Sequence, residues 1–315
     1  MRQSVAMWLY PYRTPSENVL WFCDHGFSVV SQHGLFFLDT IRNPATRDTW
    51  DGTLRETGVR LTVHGVLPSD LIAYRDESRF AEDMALARRW YDRIGALEVL
   101  SFDVCLDRHP GAARLVKIAL DAFSGTDVKI CLEDYGLIPE DREDEAPLLI
   151  HNNYAALVDL GHMNVRLTGQ YQGHVQLEDH GEGAPLPPGD NSAEAFRNAL
   201  LRFQPQIAEF HLHNNNGLAD QHHLLEDGTV DMPSLVSMLC NTFPDTVCTM
   251  EVMPGWADDP AGKANRVAEQ EYWHHVNDEF RLCPFLGTPD PARDERFLES
   301  AAFLRRLLDA EKKRP

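Results

Sequence analysis

Glu209-Phe210-His211-Leu212-His213-Asn214-Asn215-Asn216-Gly217-Leu218-Ala219-Asp220-Gln221-His222 is the stretch on which the reading of this chain turns. The apolar run from Ile207 to Leu212 reads as a strand that delivers His211 to its end. A polar, glycine-containing loop carrying Asp220 and His222 follows. Imidazole and carboxylate donors gathered where a buried strand gives way to a loop suit a divalent metal site. The bland alternative is a polar surface loop, and the choice depends on whether other strands end in the same way.

Outward from this stretch, short runs rich in Val, Ile, Leu and Phe alternate with longer segments of helical period. Trp8-Leu9-Tyr10 is the candidate first strand, followed by a helix from Pro15 towards Gly26. Phe27-Ser-Val-Val-Ser31 is the second strand, and residues 47–57 form a helix stopped by Gly58. Val59 to His64 is the third strand, residues 70–94 a long amphipathic helix, and residues 97–106 the fourth strand. Helix 112–123 leads into Val128-Lys-Ile-Cys-Leu-Glu133, and an acidic, weaker helix over 139–149 leads into Ala155-Ala-Leu-Val-Asp159. Ser192 caps a helix over 192–203 before the Ile207 strand. Helix 232–242, Thr246-Val-Cys-Thr-Met-Glu251 and a terminal amphipathic helix over 296–312 complete the chain.

That is eight strand-then-helix units. Near-continuous apolar strands suit a parallel sheet buried on both faces. The α/β class follows, and eight units in 315 residues fit one (β/α)8 TIM barrel domain spanning 1–315, with its chemistry at the C-terminal strand ends. A doubly wound open sheet is the rival, but no glycine-rich fingerprint follows the first strand. Two connections are long, residues 168–191 after strand six and residues 254–293 after strand eight. Such loops serve as lids, substrate walls or oligomer contacts, or are disordered insertions.

The formal net charge of -20, from 49 acidic and 29 basic residues, argues against nucleic acid or an anionic membrane surface as partner. Six cysteines without a CxxC pair, no apolar signal core and no membrane-length apolar run make a cytoplasmic protein the expectation.

His64, Glu133, Asp159, His211 and Glu251 stop the apolar runs at corresponding places, and on a barrel such ends converge. Asp159-Leu-Gly-His162 adds a second donor, Gly161 being read as a turn that lets both side chains face the mouth. The ordered set Val63-His64-Gly, Leu132-Glu133-Asp, Val158-Asp159-Leu-Gly-His162-Met-Asn164, His211-Leu-His-Asn, Asp220-Gln-His222, Gly228-Thr-Val-Asp231 and Met250-Glu251-Val resembles the xylose isomerase-like barrel superfamily over roughly residues 5–255. This superfamily is also described as the sugar phosphate isomerase/epimerase and AP endonuclease 2 family.

The resemblance implies that Glu133, Asp159, His211 and Glu251 hold one divalent ion. Three carboxylates and one imidazole favour Mn²⁺ or Mg²⁺ over Zn²⁺ or Co²⁺. It further implies an isomerase or epimerase of a sugar, polyol or keto compound. There Glu133 and Glu251 exchange a carbon-bound proton through a metal-stabilised enediolate. None of the five lysines follows a strand at the expected mouth, which disfavours the hydride-shift aldose isomerase.

The runner-up is a multinuclear zinc hydrolase resembling endonuclease IV, whose ligand pattern matches His64, His109, His162, Asp220 and His222 in addition to the four. A dehydratase on the same frame and a non-catalytic binding barrel are the remaining alternatives. His64, His109, His162, Asp220, His222 and Arg166 are candidates for substrate contact, with Trp8 and Trp256 as apolar walls. A homo-oligomer is expected from the same likeness.

Overall fold

The structure, a computed structural model, describes residues 1–7, 13–65, 77–103, 111–134, 148, 150–168, 190–203, 206–217, 221–252 and 291–313. Eight parallel strands form one sheet, β1 (Arg2–Val5), β2 (Val29–His33), β3 (Arg60–His64), β4 (Leu97–Phe102), β5 (Lys129–Glu133), β6 (Tyr154–Asp159), β7 (Ile207–Leu212) and β8 (Val247–Met250). Their order is β1-β8-β7-β6-β5-β4-β3-β2, and a parallel bridge from Ala6 to Ser31 brings the two ends together. The result is a (β/α)8 barrel, as the sequence predicts.

Nine helices are described, α1 (Pro15–Asp24), α2 (Gly34–Arg42), α3 (Pro44–Thr57), α4 (Glu77–Ile94), α5 (Ala112–Ala122), α6 (Leu160–Thr168), α7 (Ala193–Leu200), α8 (Met232–Thr242) and α9 (Pro291–Lys312). Local chemistry sets their starts. Thr14 and Glu17 form a reciprocal capping box ahead of Pro15, and Asn43 accepts from Ala45 N–H ahead of Pro44. Ser192 caps α7 as expected, accepting from Ala195 N–H at 3.2 Å. Among α2, α3 and α4, Trp50 and Trp90 stack at 5.6 Å with Phe37 edge-on to Trp90 at 5.2 Å. Trp90 donates from its indole N–H to Asp51 at 2.7 Å, so the ring buries its area without stranding its donor.

Three expectations are corrected. The first strand is Arg2–Val5 rather than Trp8-Leu9-Tyr10, which lies outside the described residues. Its Ser4 faces the barrel interior, so its core-facing side is polar and lacks the apolar run used to find strands. Helix α2 fills a stretch left unassigned; Phe36, Phe37, Leu38, Thr40 and Ile41 are all buried, and of its described side chains only Asp39 and Arg42 are part-exposed, which thins the polar stripe that marks a helix. Residues 160–168 are helical from the first residue after β6, so Gly161 is not a turn.

The 139–149 helix, apart from buried Leu148, falls outside the described residues. So do residues 169–189 and 253–290 of the two long connections, and with them the lid or oligomer-contact reading of 254–293. No helix among the described residues is long and apolar enough to cross a membrane.

Strand register determines what the interior holds. Asp159 pairs with His211, His211 with Thr249, and Thr249 with Ser4, so these four side chains share the inner surface. Glu133 pairs with Leu157, and Leu157 with Glu209, on that same surface. Arg2 and Arg60 clamp Glu98 at the opposite, N-terminal end, at 2.7 and 2.9 Å.

Candidate metal centre

The last inward residues of β5, β6 and β7 are Glu133, Asp159 and His211, and Glu251 follows β8 with its N–H still donating to Leu212 O at 3.0 Å. Strand geometry carries all four to one mouth. His211 Nδ1 lies 2.9 Å from Glu251 Oε2, 3.7 Å from Glu133 Oε1 and 3.9 Å from Asp159 Oδ2. All four residues are buried. Two overlapping triads, Glu133–Asp159–His211 and His64–His211–Glu251, each place their donor atoms within 4.8 Å of one another.

The electrostatics fit a cation. Burial raises the Glu133 carboxyl well above the usual carboxylate range, and Asp103, Asp134 and Asp159 add to this against the opposing pull of His162. Burial would depress the His211 imidazole, but Glu251, Glu209 and Asp159 outweigh it and push the group up to about 9. Burial works to raise Glu251 as well, yet His211 and His222 hold it below its ordinary value. Buried carboxylates that repel one another, neutralised here by a protonated imidazole, form the donor set that a divalent ion would satisfy.

Each donor is oriented from behind. Asp159 Oδ1 accepts from His162 N–H at 2.8 Å, capping α6, and lies 3.1 Å from His213 Nε2, which leaves Oδ2 facing His211. The ring of His213 lies flat on Gly161, where an added Cβ would sit 1.9 Å from His213 Cε1. Gly161 is therefore a close-approach glycine. Asp134, in the left-handed region at φ 53°, accepts from Asp159 N–H at 2.8 Å through Oδ1, while its Oδ2 lies 3.0 Å from His162 Nδ1. Acidic residues tolerate that backbone conformation better than most.

His64 joins the cluster, with Nε2 at 3.6 Å from Glu133 Oε2 and Nδ1 at 3.0 Å from Ser101 Oγ. The Ser101 hydroxyl donates to Val63 O at 3.3 Å, so its oxygen accepts from Nδ1–H and the Nε2 lone pair faces the carboxylates. His222 lies 2.7 Å from Glu251 O through Nδ1 and stacks on His213 at 4.1 Å. Arg166, 24% exposed, lies 3.5 Å from Asp134. His109, Asp220, Trp8 and Trp256 lie outside the described residues.

The sequence reading did not place Asp134, Glu209, Ser101 or His213 in the candidate donor set. The sequence does carry a signal for Glu209, an acid two residues before His211 in a strand and so on the same face. Asn214 and Asn215 hold the loop. Asn214 donates to Leu225 O and Val230 O, and Asn215 to Gly161 O at 2.9 Å.

No protein-family model matches the chain, and no curated protein matches it. Among solved structures it is similar to a xylose isomerase domain protein from Alicyclobacillus acidocaldarius, with TM-score 0.58 and 12% identity over 99% of both chains. It is also similar to the D-psicose 3-epimerase of Clostridium cellulolyticum H10, solved with D-tagatose, with TM-score 0.56 and 13% identity over 98% of this chain and 99% of that one. A third likeness is to a xylose isomerase-like TIM barrel protein from Mycobacterium smegmatis in complex with magnesium, with TM-score 0.56 and 10% identity over 98% and 97%. At these identities the likeness establishes the fold alone, a (β/α)8 barrel.

Proposed function

We propose that this protein is a divalent-metal-dependent isomerase or epimerase of a sugar or related polyol or keto compound. The observation that carries the reading is the convergence of Glu133, Asp159 and Glu251 on His211 Nδ1 at the barrel mouth. Those four residues would hold the ion, and the carboxylate-rich set favours Mn²⁺ or Mg²⁺. When bound, the ion supplies Lewis-acid stabilisation of the negative charge that develops on adjacent substrate oxygens.

The chain's own residues do the rest. Glu133 and Glu251 reach the mouth from different strands, β5 and the end of β8, which lets a substrate lie between them. One removes the proton on carbon and the other returns it. His64 and His162, each with its Nδ1 already engaged, present Nε2 for substrate hydroxyls. Similarity to an epimerase solved with a ketose supports this substrate class.

Incubation with a panel of ketoses in deuterium oxide tests the reading. The wild type is expected to exchange a carbon-bound proton on at least one substrate. Glu251→Gln and Glu133→Gln should each slow that exchange by about 10²–10⁴-fold. Metal-loaded protein that exchanges no proton across the panel would overturn it.

A second reading rests on a specific observation. The His64 Nε2 lone pair faces Glu133, and Asp159, His162 and His213 form a third triad within 4.8 Å, so the mouth has donors for more than one cation. A multinuclear zinc hydrolase would use them. Two or three equivalents of zinc in the purified protein, rather than one of manganese or magnesium, would favour that reading.

A further inference from the structure

Glu251 is the member of the donor set that lies beyond its strand, since β8 closes at Met250. Its aim therefore depends on what holds its backbone. The N–H donates to Leu212 O at 3.0 Å, which carries the pairing of β8 with β7 one residue further. The carbonyl lies 2.7 Å from His222 Nδ1. A carbonyl oxygen accepts and never donates, so Nδ1 carries the hydrogen of this bond. Both backbone groups of Glu251 are thus pinned to the β7 side of the mouth. The carboxylate that springs from between them lies 2.9 Å from His211 Nδ1.

The loop after β7 is built to bring His222 there. His223 N–H donates to Asn214 O at 2.8 Å and Asn214 N–H to His223 O at 3.2 Å, so the chain returns beside the exit of β7 directly after His222. The His222 ring stacks on His213, with centroids 4.1 Å and planes 22° apart. Its backbone takes φ 48°, and among the described residues Asp134 is the one other non-glycine residue at positive φ. Such a conformation persists where its surroundings over-determine it. Here the bridge, the stack and the bond to Glu251 do so.

We infer that His222 is a positioning residue for Glu251. By donating Nδ1–H to the Glu251 carbonyl it fixes the turn that ends β8, and with it the line along which the carboxylate enters the mouth. The inference rests on the metal-binding reading given above. Hydrogen bonds that hold metal ligands in place raise affinity, and their loss typically weakens binding about 10–100-fold. The role requires a donor at the δ position of a residue that accepts positive φ. Asparagine meets both conditions, because its Nδ2 stands one bond from Cγ as Nδ1 does and it enters the left-handed region readily.

The test measures MnCl2 binding to the full-length, metal-depleted protein by calorimetry. His222→Gly accepts the backbone conformation freely and removes the donor, and should weaken Mn²⁺ binding by about 10-fold or more. His222→Asn should stay close to wild type. His222→Asp has the shape and backbone tolerance of asparagine but sets an acceptor where the donor stood. Its negative charge alone would tighten Mn²⁺ binding, whereas its repulsion of the Glu251 carbonyl should weaken it. The sign separates position from charge, and this variant covers the case in which His222→Gly does not fold. In manganese EPR, wild type and His222→Asn should share a spectrum from which the other two depart. Amide hydrogen exchange at Glu251, followed by NMR without metal, should be faster in His222→Gly and His222→Asp than in wild type and His222→Asn. Wild-type affinity in His222→Gly, tighter binding in His222→Asp, or an equal loss in His222→Asn and His222→Gly would overturn the inference. A wild type that binds no Mn²⁺ defeats the metal reading instead. The amide exchange then decides the role of His222, and an unchanged rate in His222→Gly overturns it.

Discussion

Gly161 shows how far one hydrogen atom in place of a methyl group can reach. On helix propensity alone Gly161→Ala would stabilise α6 by roughly 1 kcal/mol. The added Cβ, however, would meet the His213 ring at 1.9 to 2.4 Å, and that ring is stacked on His222 at 4.1 Å with its Nε2 3.1 Å from Asp159 Oδ1. The ring cannot withdraw without releasing Asp159. Overpacking of this kind costs about 1–3 kcal/mol and reverses the sign. Urea denaturation should find Gly161→Ala less stable than wild type, and a stabilised variant would mean that the ring has room to move. The four strand-end donors were legible in the sequence because each interrupts an apolar run at its last residue. Asp134, Ser101 and the orienting role of His213 were not, because each acts across strands on a partner that only the closed barrel brings near.

Elements were legible where their signals are local. The cap at Ser192 was read in the sequence and is present in the structure, while the Asn43 cap went unread and the helix placed at 47–57 begins at Pro44. The signals fail where tertiary context rewrites the pattern, as in β1 with its inward Ser4 and in α2, where most described side chains are buried. The N-terminal ends of β1 and β3 illustrate a third case, charge placed for closure rather than chemistry. Burial works to raise the Glu98 carboxyl, but Arg2 and Arg60 outweigh it and hold the group below its ordinary value. A depressed acid contributes stability above its unfolded value of 4.5, and that contribution disappears as pH falls through the lower folded value. Glu98→Gln should therefore cost about 1 kcal/mol at pH 7, the scale of a partly exposed ion pair, since Arg2 and Arg60 are nearly half exposed. Melting temperatures of mutant and wild type should draw together as pH falls from 4.5 through the lowered folded value. A difference that stays constant over that fall would assign the stabilisation to packing instead.

At the scale of the molecule, the formal charge of -20 and the cluster at the mouth both predict that added cations stabilise the fold, for different reasons. General screening of surface repulsion depends on ionic strength and is indifferent to which salt supplies it. Specific binding to the folded state contributes RT ln(1 + [L]/Kd), about 2.7 kcal/mol at a hundredfold excess over Kd. For a chain of 315 residues that is roughly 4 °C in melting temperature. Mn²⁺ should produce a rise of that order over potassium chloride at matched ionic strength. Asp159→Asn separates the two contributions because it keeps the Oδ1 atom that caps α6 and faces His213, so the fold retains its local support. It removes only the charge on the oxygen turned towards His211. The variant should retain the potassium response and lose most of the manganese response. If Asp159→Asn and wild type rise equally with Mn²⁺, the ion is bound elsewhere, and the four strand ends meet for some purpose other than holding it.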